Sequence, residues 1–493
     1  MDFENLLQKA RQESAAYVTR RHFLRNCSLG LGSMYLGGML GACQSSSPSI
    51  ADALDPLAPK PPHFPAKAKS VIYLHMAGSP SQLELFDYKP ALQQLDGQLC
   101  PPSLLEGKRF AFIRGVPQML GPQAVFKQRG QSGNWISDHL PHMADIADDL
   151  TVIKALHTDQ FNHAPAQLLL HTGSPRLGRP SMGAWVTYGL GTENNNLPGF
   201  VVLTSGGKAP DAGKSVFGSG FLPTVYQGVQ CRSEGDPVLF INDPEGVNRD
   251  MRKASIDAIN EVNRLSYQEF KDPETLTRIA QYELAYRMQT AVPEVMDISK
   301  EPDYIHEMYG TKPGKTCFAN NALLARKMVE NGVRFVQLFD WGWDSHGTDA
   351  DGSLDIGFIN KCRSVDKATT ALILDLKQRG LLDETIIVWG GEFGRTPMQE
   401  NREGKTNLFK GRDHHTEAFS MVMAGGGIKK GFSFGETDEI GYGGIKDRMS
   451  TFDLQATILH QLGFDHEKLI YEFQGRPFRL TDVEGKVVKQ ILI

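Results

Sequence analysis

Apolar and β-branched residues fall along this chain in short runs that alternate with longer stretches of helical spacing. Ser70 to Met76 (SVIYLHM) is a short apolar run that enters a tight turn at Ala77-Gly78-Ser79-Pro80-Ser81, and Leu150 to Leu156 and Gly199 to Leu203 have the same strand character. From Ile256 to Gln289 the pattern turns helical, with Leu276, Ile279, Ala280 and Leu284 on one face and Pro273 and Glu274 in a first turn. No comparable strand signal falls between about 205 and 315, so this stretch is expected to be a mostly helical insertion. The alternation then resumes with a helix from Asn320 to Asn331 closed by Gly332, a strand from Arg334 to Phe339 and a helix from Val365 to Arg379 stopped by Gly380. Strands at Thr385 to Trp389 and Ser420 to Ala424 and a helix at Thr451 to Leu462 follow. Strands alternating with helices of this length imply an α/β domain whose mostly parallel sheet is covered on both faces.

One run stands apart. Thr385 to Pro397 reads TIIVWGGEFGRTP, a buried strand running straight into a Gly-Gly pair, the lone carboxylate of Glu392, another Gly and Arg395. That is the pattern of a parallel strand ending at an active-site rim. Two polar clusters lie on either side of it in sequence: Asp340-Trp341-Gly342-Trp343-Asp344-Ser345-His346 upstream and Arg412-Asp413-His414-His415 downstream. Carboxylates and imidazoles converging from separate strand ends are what a metal ion requires, because one short loop cannot surround it.

Composition narrows the partners. The 493 residues are 40% hydrophobic, ample for a substantial core, and the net charge of -5 with a pI near 6.3 shows no basic footprint, so nucleic acid is not expected. An anionic substrate then needs local counter-charge or a metal. Thr19-Arg20-Arg21-His22-Phe23-Leu24-Arg25 resembles a twin-arginine export motif; the Gly/Leu-rich stretch behind it is too short for a good membrane span and ends at Leu40-Gly41-Ala42-Cys43, which resembles a lipobox. Residues 1–43 are therefore expected to be a signal, 44–68 a Ser/Pro/Ala/Lys-rich linker, and 69–493 the folded domain. The expectation is export by the twin-arginine route to the periplasm or the outer membrane, touching membrane by a lipid anchor only. Cys100, Cys231, Cys317 and Cys362 remain, without any C-x-x-C spacing, so zinc held by thiolates is not expected and disulfides are permitted.

Four motifs carry a family resemblance. DLKQRGLLDETIIVWGGEFGR (Asp375 to Arg395) is similar to the "L…LGLLDNTLVIFTSDNG" stretch of sulfatases, and APAQLLLHTGSP (Ala164 to Pro175) is similar to their "C-x-P-S-R-x-x-L-x-T-G" signature. AGGGIKKG (Ala424 to Gly431) resembles the "GPGI…G" turn, and TFDLQATILHQLG (Thr451 to Gly463) resembles "DLAPTLLDLAG". They occur in family order, and with "AGSPSQLELFDYKP", "NHAPAQ" and "GRDHH" the chain resembles a sulfatase-like family of exported bacterial proteins, mostly of unassigned function, within the alkaline phosphatase and sulfatase superfamily. The resemblance implies an alkaline-phosphatase-like three-layer sandwich with a helical insertion.

It also implies a metal-dependent hydrolase of sulfate or phosphate esters, using a divalent ion such as zinc, manganese or calcium on an anionic ester or a sulfated or phosphorylated glycan. Asp344, His346, Glu392 and His415 are the implied metal ligands, with Asp413, His414, His75 and Asp340 in reserve. His163 falls at the nucleophile position, where it allows a covalent phospho-intermediate, a metal bond or acid-base catalysis but no formylglycine. Arg395 is the candidate grip on an anionic oxygen, a bracing role being the alternative, and Ser79 and Ser81, in the turn after the first strand, are candidates to offer backbone N–H groups or a hydroxyl to the anion, ordinary turn chemistry being the alternative. Departures from the family pattern are Phe393 in place of Asn or His and the missing Asp residues after the first strand, where only His75 and the more distant Asp87 offer ligands. They motivate the rival expectation of a catalytically degenerate protein that binds a glycan or an envelope partner.

Overall fold

A computed structural model describes residues 55–493 apart from 239–241 and 244; the expected signal and the first part of the expected linker lie outside these residues. The central sheet has nine strands. They are β1 (Ser70–Ala77), β2 (Thr151–His157), β3 (Phe200–Ser205), β4 (Val229–Gln230), β5 (Phe335–Trp341), β6 (Thr385–Gly390), β7 (Phe419–Ala424), β8 (Phe432–Phe434) and β9 (Met449–Ser450). Their order is β8-β2-β7-β6-β1-β5-β3-β4, with β9 also beside β2. Every pairing is parallel except those of β7, which runs antiparallel to β2 and β6.

All eight residues of β1 are buried, as a continuous apolar run must be at the middle of a sheet covered on both faces. Within the described chain, the helices of nine or more residues are α1 (His163–Thr172), α2 (Met182–Leu190), α3 (Arg249–Phe270), α4 (Pro273–Met296), α5 (Phe318–Glu330), α6 (Gly357–Gln378) and α7 (Thr451–Gln461). The expected three-layer α/β sandwich is the observed architecture. The helical insertion is chiefly the α3–α4 hairpin. Asn248 caps α3 by accepting from Met251 N at 2.9 Å; Lys271 in the left-handed region (φ 52°) ends it; Asp272 caps α4 by accepting from Glu274 N at 3.1 Å, with Pro273 at the first helical position.

Three details depart from the expected pattern. The stretch from about 205 to 315 contains β4, an edge strand whose two residues are too few to show a period. α6 begins at Gly357 rather than Val365, because the Ser353 hydroxyl accepts from the amides of Ile356 and Gly357 at 3.1 and 3.4 Å and starts the helix early. From Asp55 to Ala68 the chain is not a free tether. Leu57 and Ala68 are buried, Lys60 N donates to Leu190 O at 2.9 Å, and Lys67 and Ala68 both donate to Gln461 O at 2.9 Å. Cys100, Cys231, Cys317 and Cys362 are all free.

Candidate metal centre

The carboxyl ends of β1, β5 and β6 meet the first turn of α1, and this is where the polar clusters converge. β1 leaves the sheet through Gly78 (φ 103°) and Ser79 (φ 63°). A Cβ on Gly78 would lie 2.6 Å from Asp344 N, and one on Gly391 would lie 2.6 Å from Ser79 Cα, so glycine is required on both sides of this crossing. The left-handed Ser79 is compensated locally, since its hydroxyl accepts from the amides of Glu392 and Phe393 at 3.0 and 3.1 Å. Gly78 N donates to Glu392 Oε1 at 3.2 Å. The strand end that carries Glu392 is thereby fastened to the strand end that carries His75.

Past β5 the chain delivers Asp344 and His346, and a two-residue antiparallel pairing sets Arg395 opposite His414 and Gly394 opposite His415. His163 opens α1. Four side chains come together here, His163, Asp344, His346 and His414, with one donor atom of each within 4.8 Å of the others. Asp344 Oδ1 lies 2.8 Å from His346 Nε2, 3.2 Å from His163 Nε2 and 3.3 Å from His414 Nε2; the His414 ring contacts both other imidazoles, and His346 Nε2 and His414 Nε2 are 3.2 Å apart. Each ring is turned by its other nitrogen. His163 Nδ1 is 2.6 Å from Glu392 Oε1, His414 Nδ1 is 2.7 Å from the Phe161 carbonyl, and His346 Nδ1 bonds Glu400 Oε2. With Nδ1 committed to these acceptors, each ring turns its Nε2 toward the common centre.

The electrostatics follow from the same contacts. Burial opposes ionisation of Asp344, yet Arg395 and the three imidazoles outweigh it and hold the carboxyl far below the usual range. Burial likewise opposes a charge on His163, but Asp344 and Glu392 push its pKa up to about 9. His414 goes the other way: burial, helped by Arg395, takes it down to about 3 despite Asp344. Phe393, the unorthodox neighbour of Glu392, is buried with its ring 4.9 Å from His163 and 4.5 Å from His414, so it packs the two imidazoles in place.

Not every expected residue reaches the cluster. His415 is adjacent to His414 on an extended segment, so it points the opposite way and bonds the Tyr442 carbonyl; the structure brings His414, not His415, into the group. Asp340 is occupied by Ser205 Oγ at 2.6 Å, Lys361 Nζ at 2.8 Å and Trp343 Nε1 at 3.1 Å. Asp413 accepts from Phe112 N and Ile113 N at 2.7 and 2.9 Å and so anchors a loop over the cluster. Glu392 and His75 form a second tier, His75 Nε2 lying 3.2 Å from Glu392 Oε2 and both atoms buried without a hydrogen bond. Arg395 braces the rim. It is 1% exposed and donates to the carbonyls of Ser79, Gly78 and Arg412 and to Asp344 Oδ1 at 2.5 Å. Asp87 is held by Thr437 and Lys89, away from the group.

A family model described as "Protein of unknown function (DUF1501)" matches residues 68–492. The chain belongs to that family. Among solved structures it is similar to PsFucS1 sulfatase from Pseudoalteromonas sp., at 12% identity over 81% of this chain and 68% of that one, with a TM-score of 0.34. It is also similar to the lipoteichoic acid synthase LtaP from Listeria monocytogenes, at 11% identity over 84% and 78% of the chains, TM-score 0.35. A third likeness is to alkaline phosphatase from the Antarctic bacterium TAB5, at 12% identity over 74% and 94%, TM-score 0.32. At scores this low the likenesses transfer no residue, substrate or reaction to this chain. No curated protein matches it in sequence.

Three contributions in this DUF1501 chain were not expected from the sequence. Glu400 is fully buried and bonds both His346 and Arg402 Nε, the latter at 2.5 Å. Asp211, at the solvent side, takes a bond from Gln167 Nε2 at 3.0 Å and lies within 4.8 Å of His163 and Glu392. The pair Glu84–Arg412, 2.7 Å apart and fully buried, holds the Arg412–His415 segment in the site. Glu400 and Asp211 are lone charged residues in unpatterned stretches, and the Glu84–Arg412 pair joins two motifs far apart in sequence, so only the folded chain reveals these roles.

Proposed function

We propose that this protein is a metal-dependent hydrolase of sulfate or phosphate esters, with one divalent ion held by His163, Asp344, His346 and His414. One observation carries the reading. His414 Nδ1 is committed to a backbone carbonyl, which only accepts, so the neutral ring presents a bare lone pair at Nε2; that lone pair faces the ionised Asp344 Oδ1 at 3.3 Å. Two acceptors at this distance repel, and Arg395 offsets only the Asp344 side, so an ion at the common centre would satisfy both. The spacings from Asp344 Oδ1 to the three imidazole nitrogens, 2.8 to 3.3 Å, fit one small ion, since tetrahedral ligands at roughly 2.0–2.1 Å stand roughly 3.3 Å apart. Three imidazoles and one carboxylate suit zinc or a similar transition ion better than calcium, which takes oxygen ligands.

When bound, the ion supplies Lewis-acid polarisation of an ester oxygen. The chain's own residues do the rest. Arg395 keeps Asp344 ionised, Glu392 and Glu400 hold the Nδ1 protons of His163 and His346, and the rings of Phe393 and Phe112 exclude water from the inner side of the cluster. With its Nδ1 on Glu392 and its Nε2 turned to the cluster, His163 acts here as a ligand instead of a nucleophile. Asp211 stands at the solvent edge, in place to give a proton to a leaving oxygen. Export by the twin-arginine route belongs to the same proposal, because that route carries folded proteins with a metal already bound.

The test is metal analysis of protein purified without added metal, followed by chelation and screening on sulfate and phosphate esters. One equivalent of ion, and turnover that chelation abolishes and the metal restores, is the expected result. No bound ion and no turnover would sink the proposal in favour of a binding protein without catalysis.

A further inference from the structure

The candidate centre is walled by an aromatic ring at each of two ends. Phe112 stands edge-on to His346 and His414, with centroids 4.9 and 5.5 Å away, and Trp341 stands edge-on to His163 at 6.3 Å. A cavity lined by cations lies beside the chain at each wall, its lining including Phe110 and Ile113 on one side and Gly206 and Asp340 on the other. On the Phe112 side, a cavity of about 440 Å³ is lined by Lys108, Arg109 and Arg114, with no carboxylate in its lining. On the Trp341 side, where the main chain of Trp341 backs directly onto Gly206, a cavity of about 390 Å³ is lined by Lys312, Arg363 and Lys367, together with Lys361. Its single carboxylate, Asp340, is already paired with Lys361 at 2.8 Å. Among the described residues the other three cations have no carboxylate partner, so they confront the cavity unopposed.

A chain with a net charge of -5 has no general surplus of lysine and arginine to scatter over its surface. Two separate concentrations of positive charge next to one centre therefore call for a ligand with separate negative charges. A single ester group reaches one of these cavities at most. The Trp341 ring is half-buried, with Lys208 Nζ 5.4 Å from its centroid, and gives the approach an apolar platform with a cation above it. Flat apolar faces of sugar rings stack on such a platform while their anionic substituents reach the neighbouring cations.

We propose that the centre lies partway along a track that binds a linear anionic polysaccharide, with sulfate or carboxylate groups of residues on either side seated in the two cavities. Only the place of the scissile bond rests on the hydrolase reading; the track itself does not. The substrate of the centre is then an internal ester of a polymer, and the two cavities select for chain length.

The experiment measures equilibrium binding of a chondroitin sulfate octasaccharide to the full chain by calorimetry at several salt concentrations. A chondroitin sulfate disaccharide, a neutral maltooligosaccharide and a single-stranded oligonucleotide of matching charge serve as comparisons. Two triple variants are used, Lys108→Gln/Arg109→Gln/Arg114→Gln and Lys312→Gln/Arg363→Gln/Lys367→Gln. All six residues are exposed, so folding is retained, and circular dichroism verifies it. Each variant is expected to bind the octasaccharide about tenfold more weakly or worse, with a shallower salt dependence. The disaccharide should bind weakly to every form. Lys253→Gln, on the remote α3 helix, is expected to bind like the parent. Parent-like affinity in either triple variant, or an oligonucleotide that binds as tightly as the octasaccharide, would overturn the track. If octasaccharide binding follows the two cavities but no ester is turned over, the hydrolase reading fails and the track stands. If small esters turn over and the octasaccharide does not bind, the track alone fails.

Discussion

Glu392 Oε1 accepts the Nδ1 proton of His163 at 2.6 Å, and that bond turns the imidazole so that Nε2 faces Asp344, 3.2 Å away. Burial disfavours the Glu392 carboxylate, but His163 and His75 more than offset it and hold the group well below the usual range. The carboxylate is therefore a permanent anion that orients the imidazole proposed as a ligand. Replacing it by the isosteric Glu392→Gln keeps the volume and removes the charge. Metal affinity is expected to fall by about 10- to 100-fold, the usual cost of losing such an outer partner, as read by competition with a chromophoric chelator. Unchanged affinity would mean that Glu392 does not set the His163 orientation.

Adjacent histidines give a sharper comparison. His414→Ala removes one of the four converging donors and is expected to abolish stoichiometric metal binding. His415→Ala removes a bond to the Tyr442 carbonyl and is expected to retain the ion while losing about 1–3 kcal/mol of stability, the cost of leaving a buried acceptor unpaired. Metal content and denaturant unfolding of the two variants decide it, and the reverse pattern would reinstate His415 as the ligand.

Arg395→Met tests whether the guanidinium is a brace. Three carbonyls and the Asp344 carboxylate lose their donor inside the protein, so the expected cost is about 3–5 kcal/mol in urea unfolding. A variant that keeps its stability and only raises KM would restore the substrate-gripping role.

Away from the centre, His466 links stability to pH. It is buried with Nδ1 2.9 Å from Thr481 Oγ1, and burial, aided by Arg479, holds its folded-state pKa below the ordinary 6.5. Below pH 6.5 the unfolded chain takes up a proton that the folded chain resists, so this residue costs stability as pH falls and contributes nothing above that value. His466→Asn is expected to narrow the drop in Tm between about pH 7.5 and about pH 5.5 relative to the parent. An equal drop in both proteins would refute the assignment.

Hydrophobic period and turn chemistry are local properties, and they were enough to locate β1, β2, β3, β5, β6 and β7, the long insertion, and the strand tip that carries Glu392. They also brought Asp344 and His346 to one strand end, because residues that follow a parallel strand must emerge at its carboxyl edge. Two neighbouring histidines, by contrast, look equivalent along the chain. His414 and His415 are told apart only by which side of a two-residue strand faces the cluster, and that side is set by the pairing of His414 with Arg395. Arg395 reads as a free cation until Gly78, Ser79 and Arg412 are seen to surround it. Glu400 has no pattern at all and reaches His346 from 54 residues away. Local preference decides what each segment becomes. Which charges are buried against which is decided by segments far apart in sequence, whose ionised groups tolerate the loss of water only where the whole fold supplies their partners.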